Sequence, residues 1–177
     1  PVSDLEILTV TAPATALDGG SIDVTWTVRN NGPDAVPGSW TDTVYLAPNG
    51  SLTGAIVLGS FRIDPPLDAG RSYTRTIAFT LPTKIQGVYT IIVRSDSGGA
   101  IDPALATNNQ LSSSALVVSL RARPDLQVTL ASGPPSVTAG AAIDVTWTVS
   151  NLGVAATPVG ASRWNDAVYL SLNNTLD

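Results

Sequence analysis

Reactive side chains are scarce in this chain, and their types decide what chemistry it can carry. The 177 residues include no Cys, no His and no Met. Without a thiolate or an imidazole there is no Cys nucleophile, no Ser-His-Asp triad, no disulfide framework and no usual zinc or haem ligation. Carboxylates are what remains. Glycoside hydrolysis needs two of them close together in a cleft. Asp23 and Asp144 alternate onto the polar face of their strands, and Asp64 and Asp68 lie in a Pro-rich turn, so none makes an acid/base pair. One set of oxygens does stand in a single long loop before the last strand of its repeat: Asp96, Asp102, Asn108 and Asn109. These are expected to cross-link the end of the domain, with or without calcium, the cation that hard oxygens suit. The plainer alternative is a solvated loop making Asx turns. Lys84 raises an intramolecular isopeptide bond, which needs Lys, an Asn or Asp and an acid packed in an apolar core. Its setting, Pro82-Thr83-Lys84-Ile85-Gln86-Gly87, reads instead as a hairpin turn. Trp40 and Trp164 each begin a strand after a loop of small residues. Exposed, they would stack on a sugar ring; otherwise they cover a sandwich edge.

Charge and composition narrow the partners. The formal net charge is −5 and the sequence pI about 4.4, with no basic stripe, which argues against nucleic acid. No apolar run approaches the ~18 residues of a membrane span. Hydrophobic residues make up 44% and charged residues 13%, enough apolar material for a core and too little charge for a disordered chain. The 15 Gly and 13 Pro, with frequent Thr and Val, suit turns and pleated strands rather than helices.

The elements that must position these groups come from an internal repeat. Residues 22–28 read IDVTWTV and recur 121 positions on as residues 143–149. Asp4-Leu5 aligns with Asp125-Leu126, Pro13 with Pro134, Gly19 with Gly140, Asn30 with Asn151, Gly32 with Gly153 and Pro37 with Pro158. A three-residue insertion then shifts the offset to 124, and Trp40, Asp42 and Val44-Tyr45-Leu46 align with Trp164, Asp166 and Val168-Tyr169-Leu170. The second copy lacks everything that aligns with residues 54–120. Within each copy apolar residues alternate with period two. Ile22, Val24, Trp26 and Val28 share one face; Tyr73, Ile77, Phe79 and Leu81, then Tyr89, Ile91 and Val93, then Leu116, Val118 and Leu120 do the same. About seven such strands separated by Gly/Pro/Asn clusters predict an all-β, immunoglobulin-like antiparallel β-sandwich with Trp26 and Trp147 as core anchors. The expected organisation is a complete sandwich over residues 1–120, a linker over 121–124, and the first half of a second repeat over 125–177. Strands are expected near residues 125–132, 141–151 and 164–171 of that second copy, with Ile143, Val145, Trp147, Val168 and Leu170 uncovered.

The combined pattern resembles the bacterial CARDB family, the "cell adhesion related domain found in bacteria". It is carried by residues 69–76 (AGRSYTRT), Gly87-Val88-Tyr89, Asp96-Ser97 and Asn108-Asn109, together with the repeated blocks above. The resemblance implies an Ig-like fold, tandem arrangement in large secreted or cell-surface proteins, and an adhesive or spacer role without catalysis. It also implies an acid-rich loop after the third long strand. Copy two keeps Asp166, Asn173, Asn174 and Asp177 of it, a candidate calcium site; copy one reads residues 47–54 as APNGSLTG and keeps Asp42 alone. No cofactor is required on this reading. The expected partners are neighbouring repeats, a surface glycan or protein, and, for the second copy, strands supplied from another copy, a cleaved fragment or a continuation of the chain. The alternative role is an ancillary domain of a secreted enzyme.

Overall fold

The computed structural model describes residues 2–101, 103–160, 163–173 and 175. The chain divides into two compact units, Pro1–Arg121 and Ala122–Asp177. The described residues of unit 1 form eight strands: β1 (Leu5–Thr11), β2 (Thr15–Leu17), β3 (Ser21–Asn30), β4 (Trp40–Pro48), β5 (Ile56–Ile63), β6 (Ser72–Thr80), β7 (Gly87–Arg94) and β8 (Gln110–Ser119). A 3-10 helix, Pro103–Asn108, precedes β8. The strands form a three-stranded sheet in the order β1-β3-β6 and a five-stranded sheet in the order β2-β8-β7-β4-β5. All pairings are antiparallel except the short one between β2 and β8, which is parallel.

The alternation read from the sequence is the alternation that packs. Ile22, Val24, Trp26 and Val28 point into the core and meet Val44, Leu46, Ile91, Val93, Leu116 and Val118 from the facing sheet. Leu120 departs from the pattern: it lies beyond the last ladder residue of β8 and is exposed. On the outer face of the three-stranded sheet, register places Thr25 beside Thr76 and Thr27 beside Thr74. Their hydroxyls pair at 2.8 Å in both cases, so this face meets water with few charges.

The described residues of unit 2 form two strands, β9 (Leu126–Ser132) and β10 (Thr146–Asn151), paired antiparallel. The register copies β1 with β3, including the bulge: Leu8 is skipped between Ile7 and Thr9, and Thr129 is skipped at the matching place. Two expectations fail here. Residues 141–145 and the described residues of 164–171 form no ladder. The counterparts explain why. In unit 1, residues 21–24 pair with β6 rather than β1, and β4 pairs with β5 and β7. A strand persists only beside a neighbour that satisfies its backbone groups, and the neighbours of those segments align with nothing in unit 2. The expected bare faces are present: Trp147 is 43% exposed, against 0% for Trp26.

Candidate functional site

The polar group most completely enclosed by aromatic and hydroxyl partners is Asp42, fully buried on β4. It is in phase with Trp40, Val44 and Leu46, so the period-two backbone that buries those apolar side chains also carries this carboxylate into the core. Its Oδ2 accepts from Trp26 Nε1 at 2.9 Å and from the Tyr73 hydroxyl at 2.6 Å, and its Oδ1 accepts from the Ser95 hydroxyl at 2.8 Å. Trp40 Nε1 donates to the Tyr73 oxygen at 3.2 Å. Burial and the adjacent Asp42 carboxylate push the Tyr73 phenol well above the ordinary tyrosine range. Four strands, β3, β4, β6 and the end of β7, thus meet at one carboxylate. Three donors compensate its desolvation without a cation. With its acceptors occupied, the group is built to hold the sandwich rather than to move protons.

Unit 2 repeats the first half of this arrangement. Trp147 Nε1 donates to Asp166 Oδ2 at 3.0 Å. The counterparts of Tyr73 and Ser95 would align beyond residue 177. Asp166 is the hydrogen-bond partner of Trp147, in the position that Asp42 has for Trp26. Asn173 Oδ1 is occupied by its own turn, accepting from Thr175 N at 2.9 Å and from the Thr175 hydroxyl at 2.7 Å. Asp177 and Asn174 lie outside the described residues.

A second shared device fixes the start of each unit. Asn30 is fully buried; its Oδ1 accepts from the Asp4 and Gly32 amides, and its Nδ2 donates to the Asp34 and Leu67 carbonyls. Asn151 does the same for the Asp125 and Gly153 amides and the Ala155 carbonyl. The glycine two residues on has no alternative. A Cβ on Gly32 would meet the Val2 carbonyl at 2.6 Å, and one on Gly153 would run into the Arg123 carbonyl. Close backbone approach, not a positive φ, demands glycine at both places.

The loop set resolves differently from expectation. Asp96 is buried in a left-handed conformation with φ 49°, and its two oxygens accept from the Ala100 and Ile101 amides at 2.7 and 2.9 Å. It pins its own loop through amides four and five residues on, as a buried cap rather than the solvated Asx turn of the plainer alternative. Asp102 lies outside the described residues. Asn108 reaches across the end of the sandwich, donating from Nδ2 to Asp4 Oδ2 at 3.2 Å. Among the described residues, none donates a hydrogen bond to the buried oxygens Asp4 Oδ1, Asn108 Oδ1 and Asn109 Oδ1. Asp4 was not singled out by sequence reasoning; its alignment with Asp125 was the available signal. Among the described residues, no group of three or more acids or other strong ligands is placed to hold a metal ion.

Trp40 is 2% exposed and stacks obliquely on Tyr73, so it offers no ring face to a sugar. Trp164 is 53% exposed, in the unit where no counterpart of Tyr73 covers it. Lys84 is exposed with φ 63°, which confirms the turn and removes the buried setting an isopeptide bond requires.

The model of the CARDB family matches residues 2–113. The chain belongs to the CARDB family. Among solved structures, a CARDB domain from Pyrococcus furiosus, crystallised in complex with di-metal ions, is 19% identical with a TM-score of 0.51; the match covers 67% of this chain and 96% of that one. The solution structure of the same domain gives the same score and identity. A β-glucosidase from Listeria innocua shares 18% identity over 16% of its own chain with a TM-score of 0.46, a likeness too loose to bear on function. No curated protein matches. CARDB is a non-catalytic domain family. Among the described residues no helix is long and apolar enough to cross a membrane.

Proposed function

We propose that this chain is a stretch of tandem CARDB modules in a secreted or cell-surface bacterial protein, where they space or tether rather than catalyse. The observation that carries the reading is the repetition of the anchoring device. Asn30 with Gly32 and Asn151 with Gly153 fix the chain at the start of each unit in the same way. Reuse of one device at a 121-residue interval is the mark of a repeat array. Contacts made by each module are weak singly and multiply along an array. Partners are accordingly neighbouring repeats, and strands of the β5–β8 type for the open face of unit 2. The same reading covers a place beside a catalytic domain, which the modules would then carry. The test is location: an antibody raised against the chain should label intact source cells or their medium, and protease shaving should remove the cell-bound signal. Signal confined to the cytosol overturns the reading.

A second reading is favoured by the three unpartnered oxygens of Asp4, Asn108 and Asn109 at one end of unit 1. All three are acceptors and one belongs to a carboxylate, which is the chemistry of a calcium-class cation. The likeness to a CARDB domain that was crystallised with two metal ions supports it. Calcium should raise the melting temperature of the wild type and not of Asp4→Asn; an unchanged wild type overturns the cation.

A further inference from the structure

Unit 1 receives the chain at one end of its strands and releases it at the other. Leu5, at the start of β1, pairs with Asn30, and Asn108 Nδ2 bonds Asp4, which puts the incoming chain beside the start of β8. At the far end Leu17 pairs with Ser119 and Gly19 N bonds the Pro82 carbonyl, which puts the outgoing chain beside the β2–β3 and β6–β7 turns. Pulling the two ends apart therefore drags β1 and β8 along their own axes. In that geometry the ladder bonds of a strand resist together in shear; they do not open one by one as in peeling.

The outgoing end carries more than a ladder. Beyond Leu17, the Asp18 amide donates to the Ser119 carbonyl at 2.9 Å. The Asp18 side chain is fully buried and spans two further segments. Its Oδ1 accepts from the Arg121 amide at 2.5 Å and its Oδ2 from the Lys84 amide at 2.6 Å. Bonds from backbone N–H groups to a carboxylate are charge-assisted and stronger than neutral ones. Arg121 is the last residue of the unit, so force applied there reaches Asp18 before it reaches the β8 ladder. At the offset that aligns Gly19 with Gly140, unit 2 has Ala139 in this position. The device therefore belongs to unit 1 and not to the repeat pattern.

We propose that unit 1 is built to bear end-to-end tension, and that the Asp18 carboxylate, with the parallel β2–β8 pairing it extends, is the latch that sets the force at which it opens. A tethering role supplies the tension, so the biological use of the latch rests on the repeat-module reading; the mechanical property does not. Opening under force is a rate, governed by the barrier to breaking the first contacts rather than by overall stability.

The chain has no Cys, so Val2→Cys and Ala122→Cys give unique handles on the 177-residue chain for single-molecule pulling. Asp18→Ala should lower the unfolding force of unit 1 by a third or more, and Asp18→Asn by less. Val93→Ala, a core truncation on β7, should lower the urea midpoint more than Asp18→Ala does while lowering the force less. Should Asp18→Ala fail to fold by circular dichroism, Ala16→Pro, which removes one N–H from β2, carries the same expectation. An unfolding force unchanged by the latch variant, or reduced more by Val93→Ala, overturns the proposal. A weakened force with the antigen confined to the cytosol would uphold the latch and remove its tethering use.

Discussion

Trp26 and Trp147 sit in the same seven-residue sequence and donate to equivalent aspartates at 2.9 and 3.0 Å, yet one is sealed in a core and the other is nearly half exposed. The bond is local to β3, β4 and their counterparts, and it forms in both units. The burial is supplied by β5 to β8, which among the described residues have no counterpart in unit 2. The comparison separates what a half-sandwich specifies from what the facing sheet adds. Chain anchoring at Asn30 and Asn151, the skipped bulge residue and the Trp–Asp pair belong to the first class. Strand structure in β4 and the saturation of Asp42 belong to the second.

The largest difference should appear when the two aspartates are removed. Asp42→Ala leaves the donors of Trp26, Tyr73 and Ser95 buried without an acceptor, at about 1–3 kcal/mol each, and should cost unit 1 at least ~3 kcal/mol in urea denaturation. Asp166→Ala, at an exposed pair, should change the same curve by less than ~0.5 kcal/mol. Equal effects would break the comparison.

Gly32→Ala and Gly153→Ala sharpen it from the other side, because both meet backbone at close range. Gly32→Ala should destabilise unit 1 by ~1–3 kcal/mol. Gly153→Ala should leave that transition in place and raise amide exchange in β9 and β10.

Tyr73 gives a pH test. Its folded-state pKa is raised by burial and by the Asp42 charge, so the folded chain keeps the phenolic proton after the unfolded chain begins to lose it. The stabilisation is fully present below the unfolded value near ~10 and declines as pH rises beyond it. Tyr73→Phe should lower stability at pH 7 by ~1 kcal/mol through the lost bond and flatten the alkaline decline, as read from urea midpoints between neutral and strongly alkaline pH. An alkaline decline unchanged in the variant would detach Tyr73 from it.

The smallest effect should come from the surface. Arg62 and Asp64 pair at 2.8 Å, both largely exposed, and Ser39 and Arg62 hold the Asp64 carboxyl below its usual range. Arg62→Ala should leave the urea midpoint essentially unchanged, and added salt should screen away whatever small shift there is.

Much of the fold was legible beforehand. Period-two alternation in β3, β6 and β7, the repeat and the Gly/Pro/Asn turns place the strands and name the core side of each, because strand side chains alternate whatever lies opposite. The candidate site was less so. Asp96 is legible as a loop residue, but the two amides that donate to its oxygens lie four and five residues on and are set by the fold. Asp42 stood in phase with Trp40, Val44 and Leu46, a signal for a buried carboxylate that the emphasis on loop acids passed over.

The sequence by itself determined the β-sandwich class, the repeat interval, the core side of Trp26 and the absence of thiol and imidazole chemistry, all of which follow from local pattern and residue type. Only the tertiary structure decided which polar groups are satisfied. Asp42 is closed by Tyr73 and Ser95, residues 31 and 53 positions away, and Asp18 by Arg121 at 103. Whether a carboxylate is a ligand, a latch or a lock depends on the donors that folding brings to it, and no spacing along the chain records them.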